Sequence, residues 1–448
     1  MKKLSKKNSR ISQSMFDKNI YFKKIKEKII NFDFFELGNS SLLYYILIFG
    51  LLPLAIILDP NSKYVKYILA QGEPIFDIRI FVYLLAGILF LWAGYKFFNF
   101  KKLTFKFFNI FNKDWNYKNV FFVFAIVFSI NLFIKIIRIL NGGYFHYSKS
   151  LEFVGGKFYS LIGLLDWFGP IALAIAFAYY FHLYKINDRR YKIWQIISWS
   201  AFVIEFFYGF FSLSKFNVII PIIIYLIIKH YVYNKSFLRI IIAGFLIFFV
   251  LMPTINFYKS RINFYSYDIN AGKNFKIKDK NQFIIDSSIG RINQSKIIFN
   301  VFEKTDKFLY GKSLLNFFIS LGPPRFIWGN KPIINAGGNE FGRKYEILSP
   351  DNFQTSVGPT IVGDLYMNFG ITGIALGMLF FGALFRVIFD SLINKTNISL
   401  SGVVIYSVFW IQIIKGFEDS IAPVWAGLVK LFVILLILHY FLVKRNQN

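Results

Sequence analysis

Residues 120–140 read VFFVFAIVFSINLFIKIIRIL, an apolar run about as long as a helix needs to cross a bilayer. Prolines such as Pro53, Pro170 and Pro221 fall inside similar runs, which membrane helices tolerate when neighbouring helices satisfy the freed backbone groups. The other apolar runs are 41–58, 80–97, 161–183, 193–211, 216–231, 237–254, 369–389, 398–417 and 421–443. The sequence therefore predicts an all-α, polytopic transmembrane bundle of about 10 spans, within a range of roughly 10–12.

The composition excludes most soluble classes of protein. Residues of the AVILMFWYC set make up 56% of the 448 residues, and charged residues make up 17%, against roughly 25% in a soluble domain. Phe alone occurs 58 times, and a soluble fold has too little polar surface to cover so many aromatic rings. Cys is absent, which excludes a disulfide scaffold and a Cys-ligated metal site.

The basic residues predict how the bundle is oriented. Lys and Arg number 52 against 24 Asp and Glu, and many of them fall in the segments 1–40 and 96–118. With the N-terminus in the cytoplasm, the cytoplasmic segments are the basic ones, which is the positive-inside pattern. We expect a multi-pass membrane protein with both termini in the cytoplasm. Membrane lipids are the expected partners of this charge, and nucleic acid is not.

The predicted connection between spans seven and eight, residues 255–367, is much longer than the others. Loops of this length are usually functional or disordered, and this one carries Trp328 and several turn residues. Its part Phe308–Leu321 is predicted as an amphipathic helix that lies on or dips into the membrane. A large ordered loop outside the membrane indicates chemistry or capture at that face. The predicted organisation is a basic arm at 1–40, spans one to seven at 41–254, the outer loop at 255–367, spans eight to ten at 368–443 and a tail at 444–448.

Charged residues inside the predicted spans are candidate functional groups, because a charge in lipid is costly and faces a partner or a cavity. Lys135 and Arg138 lie on one helical face, three residues apart. The alternation of spans brings them level with Asp166 and Glu205, near the outer leaflet. Two interpretations are open: a functional site, or internal neutralisation in which the cations pair with the two carboxylates. Lys430, in the last span, is expected to snorkel or to have a local partner.

The loop also contains cations that suit a phosphate ligand. Arg325 follows two prolines, which restrict the backbone and can fix the direction of a side chain. Arg343 is a second candidate, because a guanidinium binds phosphate oxygens in a bidentate manner. The alternative is that these side chains are solvated or touch anionic lipid. No His lies in residues 255–367, so neither a His-based metal site nor a Ser-His nucleophile is expected there.

Three segments between residues 322 and 382 carry a resemblance. They read GPPRFIWGNKP at 322–332, GGNEFG at 337–342 and TSVGPTIVGDLYMNFG at 355–370. A "P-R…K-P" segment in the outer loop, followed by "G-[DE]-x-Y-x-N-x-G-x-x-G" leading into a membrane helix, resembles the Wzy-type oligosaccharide repeat-unit polymerases of O-antigen and capsule. The resemblance implies a metal-independent, inverting glycosyltransferase with a GT-C-like fold and no cofactor. Its implied substrates are undecaprenyl-diphosphate-linked oligosaccharides at the outer face of the bacterial inner membrane.

The resemblance also implies roles for individual residues. Arg325 and Arg343 are assigned to the diphosphate, with support from Lys331, Arg138 and Lys135. A chain-length regulator and a flippase are the expected protein partners in such a pathway.

The implied reaction also needs a base and contacts to sugar. Asp364 is the first candidate for the carboxylate that binds the acceptor or takes its proton, and Asp166 is the second. Tyr366 and Asn368 are candidates for hydrogen bonds to sugar hydroxyls, with a structural role at the start of a helix as the alternative.

Other functions remain as alternatives. O-antigen ligases share the bundle and the loop but rely on a His in that loop, which this chain lacks. A flippase or another transporter of lipid-linked oligosaccharides would commonly show internal repeats, and none is visible here.

Overall fold

The computed structural model describes residues 32–50, 78–98, 100–140, 163–212, 214–233, 237–258, 294–323, 327–332, 338–348, 350, 357–393 and 399–443. Within these ranges the chain is helical, and its β-type contacts are the isolated bridges Trp115–Val443 and Gly338–Val357. The prediction of an all-α fold is confirmed for this part of the chain.

The α-helices of the described ranges are numbered in chain order. They are α1 Leu37–Tyr45, α2 Ile78–Phe97, α3 Lys101–Phe111, α4 Tyr117–Leu140, α5 Phe168–Lys185, α6 Tyr191–Phe211, α7 Lys215–Ile228, α8 Phe237–Leu246, α9 Gln294–Lys304, α10 Lys312–Leu321, α11 Asn339–Lys344, α12 Thr360–Leu392, α13 Leu400–Gly416 and α14 Ile421–Leu442. Helices α1, α7 and α8 continue into π-helical turns at Ile46–Gly50, Lys229–Tyr233 and Ile247–Leu251.

Seven of the described helices are long and apolar enough to cross a membrane, judged by length and composition. They are Ile78–Phe97, Tyr117–Leu140, Gly163–Lys185, Tyr191–Phe211, Lys215–Tyr233, Thr360–Leu392 and Ile421–Leu442. The apolar helices Leu37–Gly50, Ile242–Tyr258 and Leu400–Gly416 overlap three further predicted spans but are shorter. The apolar helices therefore support a multi-pass membrane protein, with seven helices rather than ten that meet the criterion of length.

Helices α5 and α13 form the buried centre of the bundle. The run from Gly169 to Tyr179 on α5 is buried on every side of the helix. Its residues are apolar apart from the hydroxyl of Tyr179, and small Ala residues alternate with larger ones. A helix that is apolar all round is stable in a protein interior. Helix α13 is also buried along most of its length and packs against α5.

The most extensive contact between described helices joins α2 to α12. It depends on two glycines. A Cβ atom on Gly94 would lie 2.1 Å from Leu379 O, and one on Gly382 would lie 2.2 Å from Leu91 O. Small residues let helix backbones approach closely in membrane proteins, where dispersion forces and weak polar contacts hold helices together.

Helix α12 begins at Thr360, within the segment predicted as loop, and the predicted span begins beside a break in this helix at Phe369 and Gly370. The early part of the helix contains Asp364 and Asn368, whose polarity shortens the apolar run in the sequence. Both side chains are nevertheless fully buried, because hydrogen bonds within the protein satisfy them.

A sharp break interrupts α12 at Phe369 and Gly370. Gly370 has a φ of +63°, a conformation that favours glycine. Beyond the break, a Cβ atom on Gly373 would lie 2.4 Å from Leu365 O. The two halves of α12 therefore fold against each other with almost no space between their backbones.

Gly94→Ala and Gly382→Ala are expected to lower the thermal unfolding midpoint in detergent, because a methyl group at either position overlaps the facing backbone. Such overpacking costs about 1–3 kcal/mol. The matched control is Gly244→Ala on α8, where no atom lies within 4 Å of the Cβ position. Equal midpoints for Gly382→Ala and Gly244→Ala would contradict the close approach of α2 and α12.

Candidate functional site

Two ion pairs lie at the C-terminal end of α4. Lys135 Nζ pairs with Glu205 of α6, and Arg138 Nη2 lies 2.6 Å from Asp166 Oδ2 in the turn before α5. Asn131 Nδ2 also donates to Glu205 Oε1, at 2.7 Å. We call this end of the bundle, where α4 and α6 end and α5 and α7 begin, the site end. The pairing of both cations with these two carboxylates, one of the two interpretations open from the sequence, is present.

The helical periodicity of α4 explains why these polar groups point inward. The face that buries Val120 and Val127 continues along the helix to Asn131, Lys135 and Arg138. Because residues at this spacing lie on one face, the polar residues enter the same interior that the valines fill. Each then requires a partner there, since an unpaired buried charge is strongly unfavourable.

A cavity of about 50 Å³ lies between the two ion pairs. Its lining residues are Lys135, Arg138, Asp166, Pro170, Glu205, Tyr208, Asn217 and Ile220. Gly169 leaves the room that the carboxylate needs, because a Cβ atom there would lie 2.6 Å from Glu205 Oε2 and 2.7 Å from Asn131 Oδ1. A cavity of this volume holds a few water molecules, so a larger ligand has to enter it by displacing a side chain.

The charges in the cavity balance, with two cations against two carboxylates. Lys135, Arg138 and Glu205 are buried, whereas the Asp166 side chain is 28% exposed. Coulomb interactions are stronger away from water, so an anion that enters here has to replace a carboxylate as the partner of one of the two cations. Asp166 is the most exposed of the four charged groups.

Tyr208 and Asn217 line the cavity but were not predicted from the sequence. Tyr208 lies three residues after Glu205, so the helical spacing was a signal that both occupy one face of α6. Its ring centroid lies 4.6 Å from Lys135 Nζ. Asn217 lies in the first turn of α7, where Ser214 Oγ accepts a hydrogen bond from its backbone N–H at 3.4 Å. Nothing in the sequence pointed to Asn217, because its place depends on how α7 packs.

A second polar cluster joins Asp364 and Asn368 of α12 to Ser313 of α10. Ser313 Oγ donates to Asp364 Oδ1 at 2.6 Å, and the backbone N–H of Ile421, the first residue of α14, donates to Asp364 Oδ2 at 2.9 Å. Asn368 Nδ2 donates to Ser313 Oγ at 2.5 Å, and Asn368 Oδ1 accepts from Gly311 N at 3.0 Å. A carboxylate at the N-terminus of α14 is also favoured by the helix dipole.

These contacts favour the structural alternative for Asn368, and they give Asp364 a structural role that was not predicted. Both side chains are 0% exposed, and protein groups already bond to the carboxylate and to the amide. Together they tie α10, α12 and α14 at one point. The roles of Asp364 as acceptor base and of Asn368 in sugar binding stay predictions that this geometry does not favour.

Two further predicted residues lie on separate elements. Tyr366 is half-buried and packs on Phe302 of α9, with ring centroids 3.9 Å apart. Arg343 is half-buried on the short helix α11, which packs through Phe341 and Tyr345. No described contact brings Arg343 or Tyr366 into the cavity at the site end.

The remaining predicted cations lie near the end of α10. Lys331 Nζ donates to Gly322 O at 3.0 Å. Lys430 Nζ donates to Ser320 O at 2.6 Å, which confirms the expectation of a local partner for this residue. Arg325 lies outside the described residues.

Within the described ranges, no group of three or more His, Cys, Asp or Glu side chains is placed to hold a metal ion.

Comparison with protein-family models, with curated proteins and with solved structures finds no match to this chain. Its function must therefore be inferred from the residues and their placement.

Glu205→Gln leaves Lys135 buried without its counter-ion and is expected to destabilise the fold by roughly 3–5 kcal/mol. Adding Lys135→Met is expected to recover part of that loss, because no charge is then left buried. Thermal unfolding of Glu205→Gln, of Lys135→Met and of the double variant gives the coupling free energy between Lys135 and Glu205. The control is Asp188→Asn, which breaks the more exposed pair with Arg190 and should leave the midpoint unchanged. Additive effects of the two substitutions at 135 and 205 would refute the buried pair.

Asp364→Asn and Ser313→Ala are each expected to lower the unfolding midpoint, by an amount equivalent to about 1–3 kcal/mol, because each leaves a buried partner unsatisfied. Ser391→Ala is the matched control on α12, since Ser391 Oγ is buried without a hydrogen-bond partner among the described residues. An unchanged midpoint for Asp364→Asn, together with lost activity, would instead favour a catalytic role for this carboxylate.

Proposed function

We propose that this protein is a membrane glycosyltransferase that polymerises undecaprenyl-diphosphate-linked oligosaccharide repeat units into an O-antigen or capsular-type polysaccharide. The observation that carries the proposal is the cavity at the site end, where Lys135 and Arg138 are held beside Asp166 inside an apolar bundle. A lipid-linked diphosphate needs cations at headgroup depth to stabilise the charge that develops as it leaves. The resemblance of residues 322–382 supports the same substrate class.

The proposed site of action is the outer face of the bacterial inner membrane. Two features support this placement. The asymmetry of Lys and Arg along the sequence favours a cytoplasmic N-terminus. With that orientation, α4 runs outward, and its C-terminal end carries Lys135 and Arg138 toward the outer leaflet.

In the proposed step, a hydroxyl of the acceptor sugar attacks the anomeric carbon of the donor. The bond between that carbon and the diphosphate oxygen breaks, and its electron pair leaves with the lipid diphosphate. The hydroxyl proton passes to a carboxylate that acts as general base. No metal ion or cofactor is needed to balance this step.

We assign the role of general base to Asp166. It lines the cavity and is partly exposed, whereas the oxygens of Asp364 are buried and already accept hydrogen bonds. A bound diphosphate would compete with Asp166 for Arg138, because a guanidinium binds phosphate oxygens as readily as carboxylate oxygens. That exchange would free the carboxylate to accept the proton, so substrate binding itself would prepare the base.

A polymerase is favoured over an O-antigen ligase by the composition of the loop. Residues 255–367 contain no His, the residue on which the ligases rely. The partly exposed carboxylate in the cavity offers a different proton acceptor.

A transporter of lipid-linked oligosaccharides is the second candidate, and a separate observation favours it. His230 Nε2 lies 3.1 Å from Asp33 Oδ1, and both side chains are buried. The Tyr231 hydroxyl also donates to Asp33 Oδ1, at 3.1 Å. Carboxylate and imidazole groups buried within membrane bundles mark proton paths in many transporters.

Chain elongation in proteoliposomes tests the proposal. Deletion of the gene in its host should cause single lipid-linked repeat units to accumulate, and these units can be extracted as substrate. The purified protein is expected to convert them into chains of several repeats without ATP or an ion gradient, as measured by mass spectrometry. Movement of intact single units across the bilayer without elongation would overturn the polymerase and support the transporter.

Asp166→Asn tests the assignment of the base. Loss of a general base is expected to slow elongation by about 100-fold or more. Asp188→Asn, at the other end of α5 and α6, is the matched control and should elongate at the rate of the unaltered protein. An unchanged elongation rate for Asp166→Asn would remove Asp166 from the mechanism.

A further inference from the structure

Helix α10 lies alongside α14, and the two helices run in the same direction. At their N-terminal ends, Asp364 bonds both to Ser313 of α10 and to the backbone N–H of Ile421. At the C-terminal end of α10, Lys430 Nζ donates to Ser320 O. Most of α10 therefore runs beside the first half of α14.

The length of α14 indicates how deep α10 reaches. At a rise of about 1.5 Å per residue, the 22 residues of α14 extend about 33 Å, close to the roughly 30 Å thickness of a bilayer's hydrocarbon region. A helix of this length that crosses the bilayer begins near one surface of the membrane. Lys430 lies about 13 Å along α14 from Ile421, so its contact with Ser320 lies near the middle of the bilayer.

Beyond its first residue, the exposed face of α10 is apolar, while its polar residues are turned towards the protein. Leu315 and Phe318, three residues apart on one helical face, are 60% and 68% exposed. Ser313 is buried, and Asn316 and Ser320 are half-buried. A helix on the surface of a soluble domain has the opposite arrangement, with its polar residues in water. The pattern on α10 suits a helix whose exposed face is covered by hydrocarbon.

Helix α9, which belongs to the same long connection, has the ordinary arrangement. Its residues Ile298 and Val301 are buried, and Glu303 is exposed. The two helices thus present different chemistry to their surroundings, a charged side chain on α9 and apolar side chains on α10. Lys312, exposed at the start of α10, lies at the level of Ile421, where a lysine ammonium reaches water or lipid headgroups.

The apolar face of α10 also continues the exposed surface of α14. In its second half, α14 exposes Val429, Val433 and Ile437, which are spaced four residues apart on one helical face. In its first half, which α10 packs against, the residues before Val429 are buried or half-buried apart from Pro423. Helix α14 therefore exposes apolar side chains where α10 has ended, and α10 exposes them where α14 is covered.

The end of α10 has the partners that a helix end inside a membrane needs. The last carbonyl groups of a helix lack partners within the helix, and in hydrocarbon no water can bind them. Lys430 Nζ donates to Ser320 O, and Lys331 Nζ donates to Gly322 O at 3.0 Å. Cations at this end are also favoured by the helix dipole. These bonds allow α10 to end within the bilayer, and they account for a lysine in the middle of α14.

We propose that α10 is inserted into the bilayer as a half-span helix, and that Leu315 and Phe318 contact the acyl chains of membrane lipids. The helix enters at the membrane surface where α14 begins and ends near the middle of the bilayer, while α9 stays in water. Of the two placements predicted for Phe308–Leu321, on the membrane or dipping into it, this is the second. The proposal does not rest on the proposed glycosyl transfer, because contact with lipid is measured without activity.

Site-directed spin labelling tests the placement, since the chain has no Cys of its own to react. Leu315→Cys and Phe318→Cys each carry a nitroxide in proteoliposomes. Collisions with oxygen, which concentrates in hydrocarbon, are compared with collisions with a water-soluble nickel chelate. Both labels are expected to favour oxygen, and the label at 318 to lie about 4.5 Å deeper than the label at 315. Val433→Cys on α14 is the control for lipid, and Glu303→Cys on α9 is the control for water.

Two results of this measurement would overturn the proposal. If the labels at 315 and 318 collide with the nickel chelate as often as the label at 303, the exposed face of α10 lies in water. If they collide with neither reagent, another protein surface or a second copy of the chain covers that face.

A second test needs no substitution. The unaltered protein is reconstituted with a phospholipid that carries a diazirine in its acyl chain, irradiated and digested, and the peptides are analysed by mass spectrometry. Lipid adducts are expected on α10 and on the second half of α14, and none on α9. Adducts on α14 without any on α10 would overturn the insertion of α10, whether or not the protein elongates glycans.

Discussion

A charge buried in an apolar bundle must have a partner, and this constraint organises the site end of the protein. Lys135 and Arg138 enter the interior because the helical period of α4 leaves them no other face. Glu205 and Asp166 meet them from α6 and from the turn before α5. Since leaving one charge unpaired costs several kcal/mol, the relative positions of these three elements are fixed by two ion pairs. The cavity between the pairs is a consequence of that arrangement.

The loop that follows the first group of helices is joined to the bundle by the same principle. Asp364 accepts hydrogen bonds from Ser313 and from the first backbone N–H of α14, while Lys430 binds the other end of α10. A polar contact at each end thus holds α10 along α14. This explains how a segment between two groups of apolar helices is held against the side of the bundle.

The apolar helices were predictable because a membrane span needs a long apolar run, and such a run is visible in one dimension. The start of α12 was not, since Asp364 and Asn368 look like loop residues until their buried hydrogen-bond partners are known. In the cavity, Tyr208 could be found from its spacing to Glu205. Asn217 and Ser313 could not be found, because their partners lie on elements that are distant in the sequence.

Sequence alone determined the helical class, the apolar character of the helices and the polar face of α4. Each of these depends on neighbouring residues, through hydropathy and helical period. The tertiary structure decided which carboxylate each cation meets and which predicted residues are enclosed. It assigned Asp166 to the cavity and Asp364 to a joint between helices. The reason is that burial and pairing depend on helices packed side by side, whose residues are tens to hundreds of positions apart in the chain.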